Sequence, residues 1–268
     1  MNQSSDRSTI MGAVQWARYA YPPNTLGYCG PADDVALFGH TAAQQVDPGF
    51  LELLRGFEGA WPYTTFIAGQ AGITDPFDPR VVEAYWLGGS LLDKVSMTSF
   101  GAHLMERFRD RAGVMSWDYL AEAIPLGAQP THAYHVFGVY PWVGRLRGGK
   151  EGTALEVLDR CRIRWGTVVS LSGDLVTVES QPLQWDGARL SLGPPTTEQA
   201  IHSNGGTGMV SDLQPGDSVS LHWHWVCDRL DPRQLAMLKA STAKQLRITN
   251  DQVAHPIGMT LATVTREF

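Results

Sequence analysis

Near residue 150 the spacing of apolar residues changes from helical to extended, and this switch constrains the chain more than any other feature of its sequence. Before it, Pro and Gly punctuate runs of helical spacing. Pro31 with Asp33 and Asp34 opens a helix over 31–45. Asp47-Pro48 starts a second, whose apolar face is Phe50, Leu51, Leu53, Leu54 and Phe57. Asp78-Pro79 repeats the signal ahead of Val81, Val82, Tyr85, Trp86 and Leu92. A helix over 98–112 starts at Thr98 or Ser99 and puts Phe100, His103, Leu104 and Phe108 on one side, and a shorter one over 116–124 stops at Pro125. Arg145 to Gly152 is polar and Gly-rich and reads as a linker.

From Cys161 the pattern predicts strands. Arg162–Leu171 is rich in Ile, Trp, Thr and Val, Ser172-Gly173-Asp174 is a turn, and Asp186-Gly187 is another. Pro194–Asp212 reads as a loop. After Pro215-Gly216-Asp217, strict alternation puts Val219, Leu221, Trp223 and Trp225 on one face, with Ser218, Ser220, His222 and His224 on the other. Asp231-Pro232 caps a closing helix to about Gln245. The expected class is therefore α+β: an N-terminal α-helical domain over 1–150, then a small β-barrel with a C-terminal helix over 151–268.

The 268 residues suffice for a proper core. A hydrophobic content of 43% with 18% charged residues excludes disorder. A net charge of −6 without a basic run argues against nucleic acid as a partner. No run of about 18 apolar residues suggests a membrane span, and the polar start, Met1–Thr9, does not read as a secretory signal. Cys29, Cys161 and Cys227 are too few and odd in number for a disulfide framework, so the expected compartment is the reducing cytoplasm.

Several side chains have metal-binding chemistry. His222 and His224, two apart on a strand, point the same way. They suit a metal ion or a solvated face. His132 and His135 would share a helix face, as a ligand pair or as core beside Tyr134, Phe137 and Tyr140. Cys29 precedes a helix, where a thiol pKa is lowered, or simply closes a Gly-Pro turn. No phosphate loop and no G-x-S-x-G elbow is present.

Two stretches resemble the HypC/HupF family of hydrogenase assembly chaperones. Cys161-Arg162-Ile163-Arg164-Trp165-Gly166-Thr167-Val168 is similar to that family's opening Cys–x–x–x–Pro–Gly–x–Val. Gly216-Asp217-Ser218-Val219-Ser220-Leu221-His222 is similar to its final-strand Gly-Asp–x–Val–x–Val-His, and a helix follows. The likeness covers about residues 161–237, and the N-terminal half resembles an uncharacterised actinobacterial family. The resemblance implies an OB-like barrel and a cofactor-binding pair, Cys161 and His222, that holds iron as an Fe(CN)2(CO) unit bound for a [NiFe]-hydrogenase large subunit. The partners it implies are that subunit or other maturation proteins, and the role is that of a chaperone. Thiolate and imidazole suit such soft iron, and Arg160, Arg162 and Arg164 would favour the thiolate. The chain departs from the family pattern in three places. About 160 residues precede the cysteine, Trp165 replaces the proline, and Trp223-His224-Trp225 replaces the Val-Gly-Phe ending. The additional candidate ligands, Cys29, His132, His135 and His224, motivate an alternative, an iron-dependent enzyme supplying a diatomic ligand such as CO. A metal-free interaction module is a third.

Overall fold

A computed structural model describes residues 3–149 and 151–254. The class is α+β. Helices α1 (Gln3–Thr25), α2 (Asp34–Ala43), α3 (Pro48–Arg55), α4 (Trp61–Ala71), α5 (Pro79–Leu87), α6 (Met97–Glu122) and α7 (His132–Tyr134) come first. A π-helical turn, His135–Val139, leads to α8 (Trp142–Arg147) and α9 (Glu151–Cys161). The strands are β1 (Arg164–Ser172), β2 (Leu175–Ser180), β3 (Leu183–Trp185), β4 (Leu190–Leu192), β5 (Thr196–Ile201), β6 (Ser203–Asn204), β7 (Thr207–Gly208), β8 (Ser218–His222) and β9 (Trp225–Arg229), and α10 (Pro232–Ala254) ends the described chain.

The Asp-Pro signals work as the sequence indicates. The Asp47 carboxylate accepts from the Phe50 amide at 2.7 Å, and Asp78 accepts from that of Arg80 at 2.9 Å. Each satisfies an amide that the first helical turn leaves without a partner. Asp33 does the same for Ala36 in α2.

The strands pair in the ring β1-β2-β5-β9-β8 and back to β1. The β5–β9 link is parallel and consists of a single pair, Ile201 with Trp225, so the ring is only narrowly joined there, as in partly open OB-type barrels. Val168, Val176, Val178, Ala200, Val219, Leu221 and Val226 form its interior core. A second core does not stop at the barrel's edge. Trp16, Tyr19, Phe57, Tyr63 and Trp86 of the helical half are in one buried cluster with Ile163, Trp225, Cys227 and Leu230 of the barrel half. Arg18 of α1 also donates to Asp228 of β9 at 2.8 Å.

Some sequence expectations need correction. The Arg145–Gly152 stretch is mostly helical, ending α8 and starting α9, because Val143, Leu146, Ala154 and Leu158 bury a common face. The separate helix over 116–124 is the continuation of α6. The 194–212 loop contains β5, a full barrel strand whose buried Ala200 follows four polar residues that mask the pattern. The long alternating strand from Ser218 is a hairpin that turns at Trp223-His224, with Trp223 in the left-handed region at φ 52°. Cys161 closes α9 rather than opening a strand. The closing helix runs beyond Gln245 to Ala254.

Gly166 of β1 packs tightly against β2. A Cβ there would overlap Val178 Cγ1 and lie 2.7 Å from the Glu179 carbonyl oxygen. Both belong to the paired strand, so neither has room to retreat. Gly166→Ala is expected to destabilise the fold by about 1–3 kcal/mol, as overpacking does. Urea unfolding followed by circular dichroism measures this, and an unchanged midpoint would show that the strands separate without strain.

Candidate metal centre

Three of the residues singled out by sequence converge. One ligand atom each from His132, Cys161 and His222 lies within 4.8 Å of the others. His222 is 0% exposed, His132 6% and Cys161 7%. They come from different elements: His132 from the first turn of α7, Cys161 from the last residue of α9, and His222 from the end of β8.

Backbone contacts fix this meeting point. The β1–β8 register pairs Arg164 with Leu221, which sets the α9 end beside His222. The Trp223 amide donates to the Arg160 carbonyl at 2.7 Å, and the Arg164 guanidinium donates to the Trp223 carbonyl. The hairpin turn is thereby tied to the residues on both sides of Cys161. Thr131 caps α7 by accepting from the Tyr134 amide. A π-helical turn follows, beginning at His135.

Hydrogen bonding assigns each imidazole its tautomer. His222 Nδ1 lies 2.6 Å from the Tyr19 carbonyl oxygen, which only accepts, so Nδ1 bears the proton. Nε2 then carries the lone pair, and it has no hydrogen-bond partner among the described residues. His132 Nε2 donates to the Cys161 carbonyl at 2.8 Å, leaving the lone pair on Nδ1. Metal-ligating histidines are held in this way, with the second nitrogen donating to a carbonyl.

Electrostatics keep the cluster neutral. Burial takes the His132 pKa down to about 4, against the opposing pull of the Cys161 carbonyl. His222 is pushed well below its ordinary value by burial, with His132 adding to the effect. Burial raises the Cys161 thiol well above its usual range; Cys29 adds to this and the Trp223 side chain opposes it. The expectation that neighbouring arginines make Cys161 a thiolate is therefore corrected. Arg160 and Arg164 are engaged by Glu198, and Arg162 by Asp159 and the Gln181 carbonyl. Burial outweighs them.

The other candidate ligands do not join the cluster. His135 packs against Tyr63 and Tyr140. His224 is exposed in the hairpin turn, near the Arg160–Glu198 ion pair. It does not share a strand face with His222 because the strand has already ended. Cys29 is near enough to affect Cys161 but lies outside the group of three, and burial raises its pKa to about 12 rather than lowering it. Its helix begins only at Asp34, so the expected helix-terminus effect is absent. Sequence reasoning missed Tyr19, whose carbonyl orients His222, and Trp86, whose ring lies 4.7 Å from that of His132 and 5.9 Å from that of His222. Neither carries a signal in one dimension; Tyr19 is 203 positions from its partner.

A thiol and two imidazoles, buried and with lone pairs assigned, form a donor set suited to soft and borderline transition metals. The chain is thus an α+β protein with a candidate metal centre of one cysteine and two histidines between helices and barrel. It belongs to the family of unknown function DUF6390, which matches residues 8–256. No curated protein and no solved structure matches it. Among the described residues no helix is long and apolar enough to cross a membrane.

The neutral histidines make metal-free stability depend on pH. Their folded pKa values lie below the unfolded value of about 6.5, so their contribution is complete above that value and is lost as pH falls toward about 4 for His132 and about 3 for His135. Between pH 7 and 5 a loss of about 2 kcal/mol per such histidine is expected. Urea midpoints at the two pH values test this, with His132→Gln expected to flatten the dependence.

Proposed function

We propose that this chain holds iron through His132, Cys161 and His222 and acts in the assembly of a metal centre, as a maturation factor for [NiFe]-hydrogenase. The observation that carries the reading is the convergence of Cys161 and His222, the pair that the HypC/HupF resemblance names, at one buried point. The donor set fits an Fe(CN)2(CO) unit. Such iron is low-spin and soft, and a thiolate with imidazoles matches it. The iron supplies a preassembled centre for delivery; the chain's own residues bind it, fix its orientation and exclude water. The partners in this reading are the immature hydrogenase large subunit or other maturation proteins, and the setting is the cytoplasm.

A second reading is favoured by the position of His132. The helical half contributes a ligand and a wall of aromatic rings, so the site is enclosed as a resident centre is, rather than displayed as cargo. In that reading the protein is an iron-dependent enzyme supplying a diatomic ligand such as CO.

The test is anaerobic purification followed by iron analysis and infrared spectroscopy. The first reading expects about one iron per chain, with cyanide and carbonyl stretching bands that move to the large subunit on mixing. The second expects iron without cyanide bands. Cys161→Ser and His222→Ala should each lower iron content at least tenfold, and full iron in both would remove this site from either reading. Metal entry should also release about one proton per ion, from the Cys161 thiol, because both histidines are already neutral. Calorimetry in buffers of different ionisation enthalpy measures that proton.

A further inference from the structure

A cleft of about 650 Å³ lies at the seam between the helices and the barrel. Its size is that of a small-molecule site, and such sites favour seams of this kind. None of His132, Cys161 and His222 lines it. Its walls come mainly from α1, α5, the end of β9 and the start of α10. One wall is a single stripe of α1. Ile10, Val14 and Arg18 follow one another at four-residue spacing, so they share a helix face over about 12 Å. Ile10 is 38% exposed, and Met11 beside it is 59% exposed. The stripe thus offers hydrocarbon at its N-terminal end and a guanidinium at its C-terminal end.

The partner of Arg18 places that guanidinium at the cleft. Arg18 donates from Nη1 to Asp228 at 2.8 Å, and Asp228 lines the same cleft. Nε of Arg18 has no hydrogen-bond partner among the described residues, although the side chain is mostly buried. A buried donor without an acceptor is costly. The carboxylates of the cleft are already committed. Glu83 accepts two bonds from Arg233 and one from Gln234. Asp228 accepts from the Arg229 amide and the Gln15 side chain as well as from Arg18. Arg80, also in the lining, is held by Asp78 through two of its nitrogens. Acceptors are spent while Arg18 has donor capacity left, so the group that fits here is an acceptor from outside the chain.

We propose that this cleft binds a small organic acid with an apolar body, its carboxylate on Arg18 and its hydrocarbon along Val14, Ile10 and Met11. The apolar part of the stripe selects the body, since an inorganic ion or a sugar would leave it bare. The charge balance selects the head. The three arginines of the lining already face Glu83, Asp228 and the adjacent Asp78, which leaves no excess positive charge for a dianion such as phosphate. A carboxylate carries one charge and matches the planar guanidinium. The inference is independent of the metal reading, because the two sites share no residue.

The test is calorimetric titration of octanoate into the metal-free full chain, with 1-octanol and acetate as controls. Octanoate should bind saturably. Octanol, which keeps the body and lacks the charge, should bind at least about tenfold more weakly, the loss expected of a charge-assisted pair. Acetate, which keeps the head and lacks the body, should be weaker by at least about tenfold as well. Arg18→Gln should abolish the preference for octanoate over octanol. Ile10→Asn, on the exposed rim, should weaken octanoate at least about fivefold, and it tests the same stripe if Arg18→Gln does not fold. Circular dichroism checks the fold of each variant. Octanoate that does not saturate in the wild type, octanol bound as tightly as octanoate, or octanoate binding that neither folded variant changes overturns the inference.

Discussion

A single hydrogen bond across the molecule, from the His222 ring to the Tyr19 carbonyl, organises the site. It joins a barrel strand to the first helix, and it sets which nitrogen of the ring keeps its lone pair. With both groups buried, the proton stays on Nδ1, because a carbonyl offers no alternative. The bond from His132 to the Cys161 carbonyl repeats this arrangement from the other side. Two imidazoles from distant segments therefore each keep one lone pair, in a buried group of three with one thiol. The rings themselves meet edge to face, with centroids 4.9 Å apart.

Burial has two opposite consequences here. It keeps the histidines neutral and available as ligands, and it keeps the thiol protonated and inert. A site of this kind does not attract a nucleophile's substrates. Its donor set suits a cation, which would replace the thiol proton and take all three donors together. The rest of the architecture maintains that condition: Trp86, Tyr85 and Trp223 exclude water, and the arginines beside Cys161 are occupied by Asp159 and Glu198.

Local chemistry was legible in the sequence wherever one short segment determined the outcome. The Asp-Pro helix starts, the Gly173-Asp174 and Asp186-Gly187 turns and the α+β class follow from neighbouring residues alone. The Cys161–His222 meeting was legible only through a resemblance, since 61 positions separate them and nothing in spacing joins a helix end to a strand end. Three features escaped for physical reasons. The Trp223-His224 turn requires a tryptophan in the left-handed region, which no propensity favours, and its alternating neighbours imitate an unbroken strand. The barrel strand β5 is polar on its outer face and short of branched apolar residues, so it reads as loop. The different roles of His132 and His135 depend on the side chains each ring meets, Cys161 and His222 for the first and Tyr63 and Tyr140 for the second, which spacing along one helix does not contain.

The buried cluster that crosses from α1 to β9 has an implication for what kind of object the barrel is. Trp225, Cys227 and Leu230 rest on Trp16, Tyr19 and Trp86, much as one half of an obligate dimer rests on the other. A free-standing carrier domain would end in a water-compatible wall at this seam; here the seam is interior. The helices thus stand to the barrel as a permanently bound client would, and the surface that the barrel has on this side is already taken by its own chain.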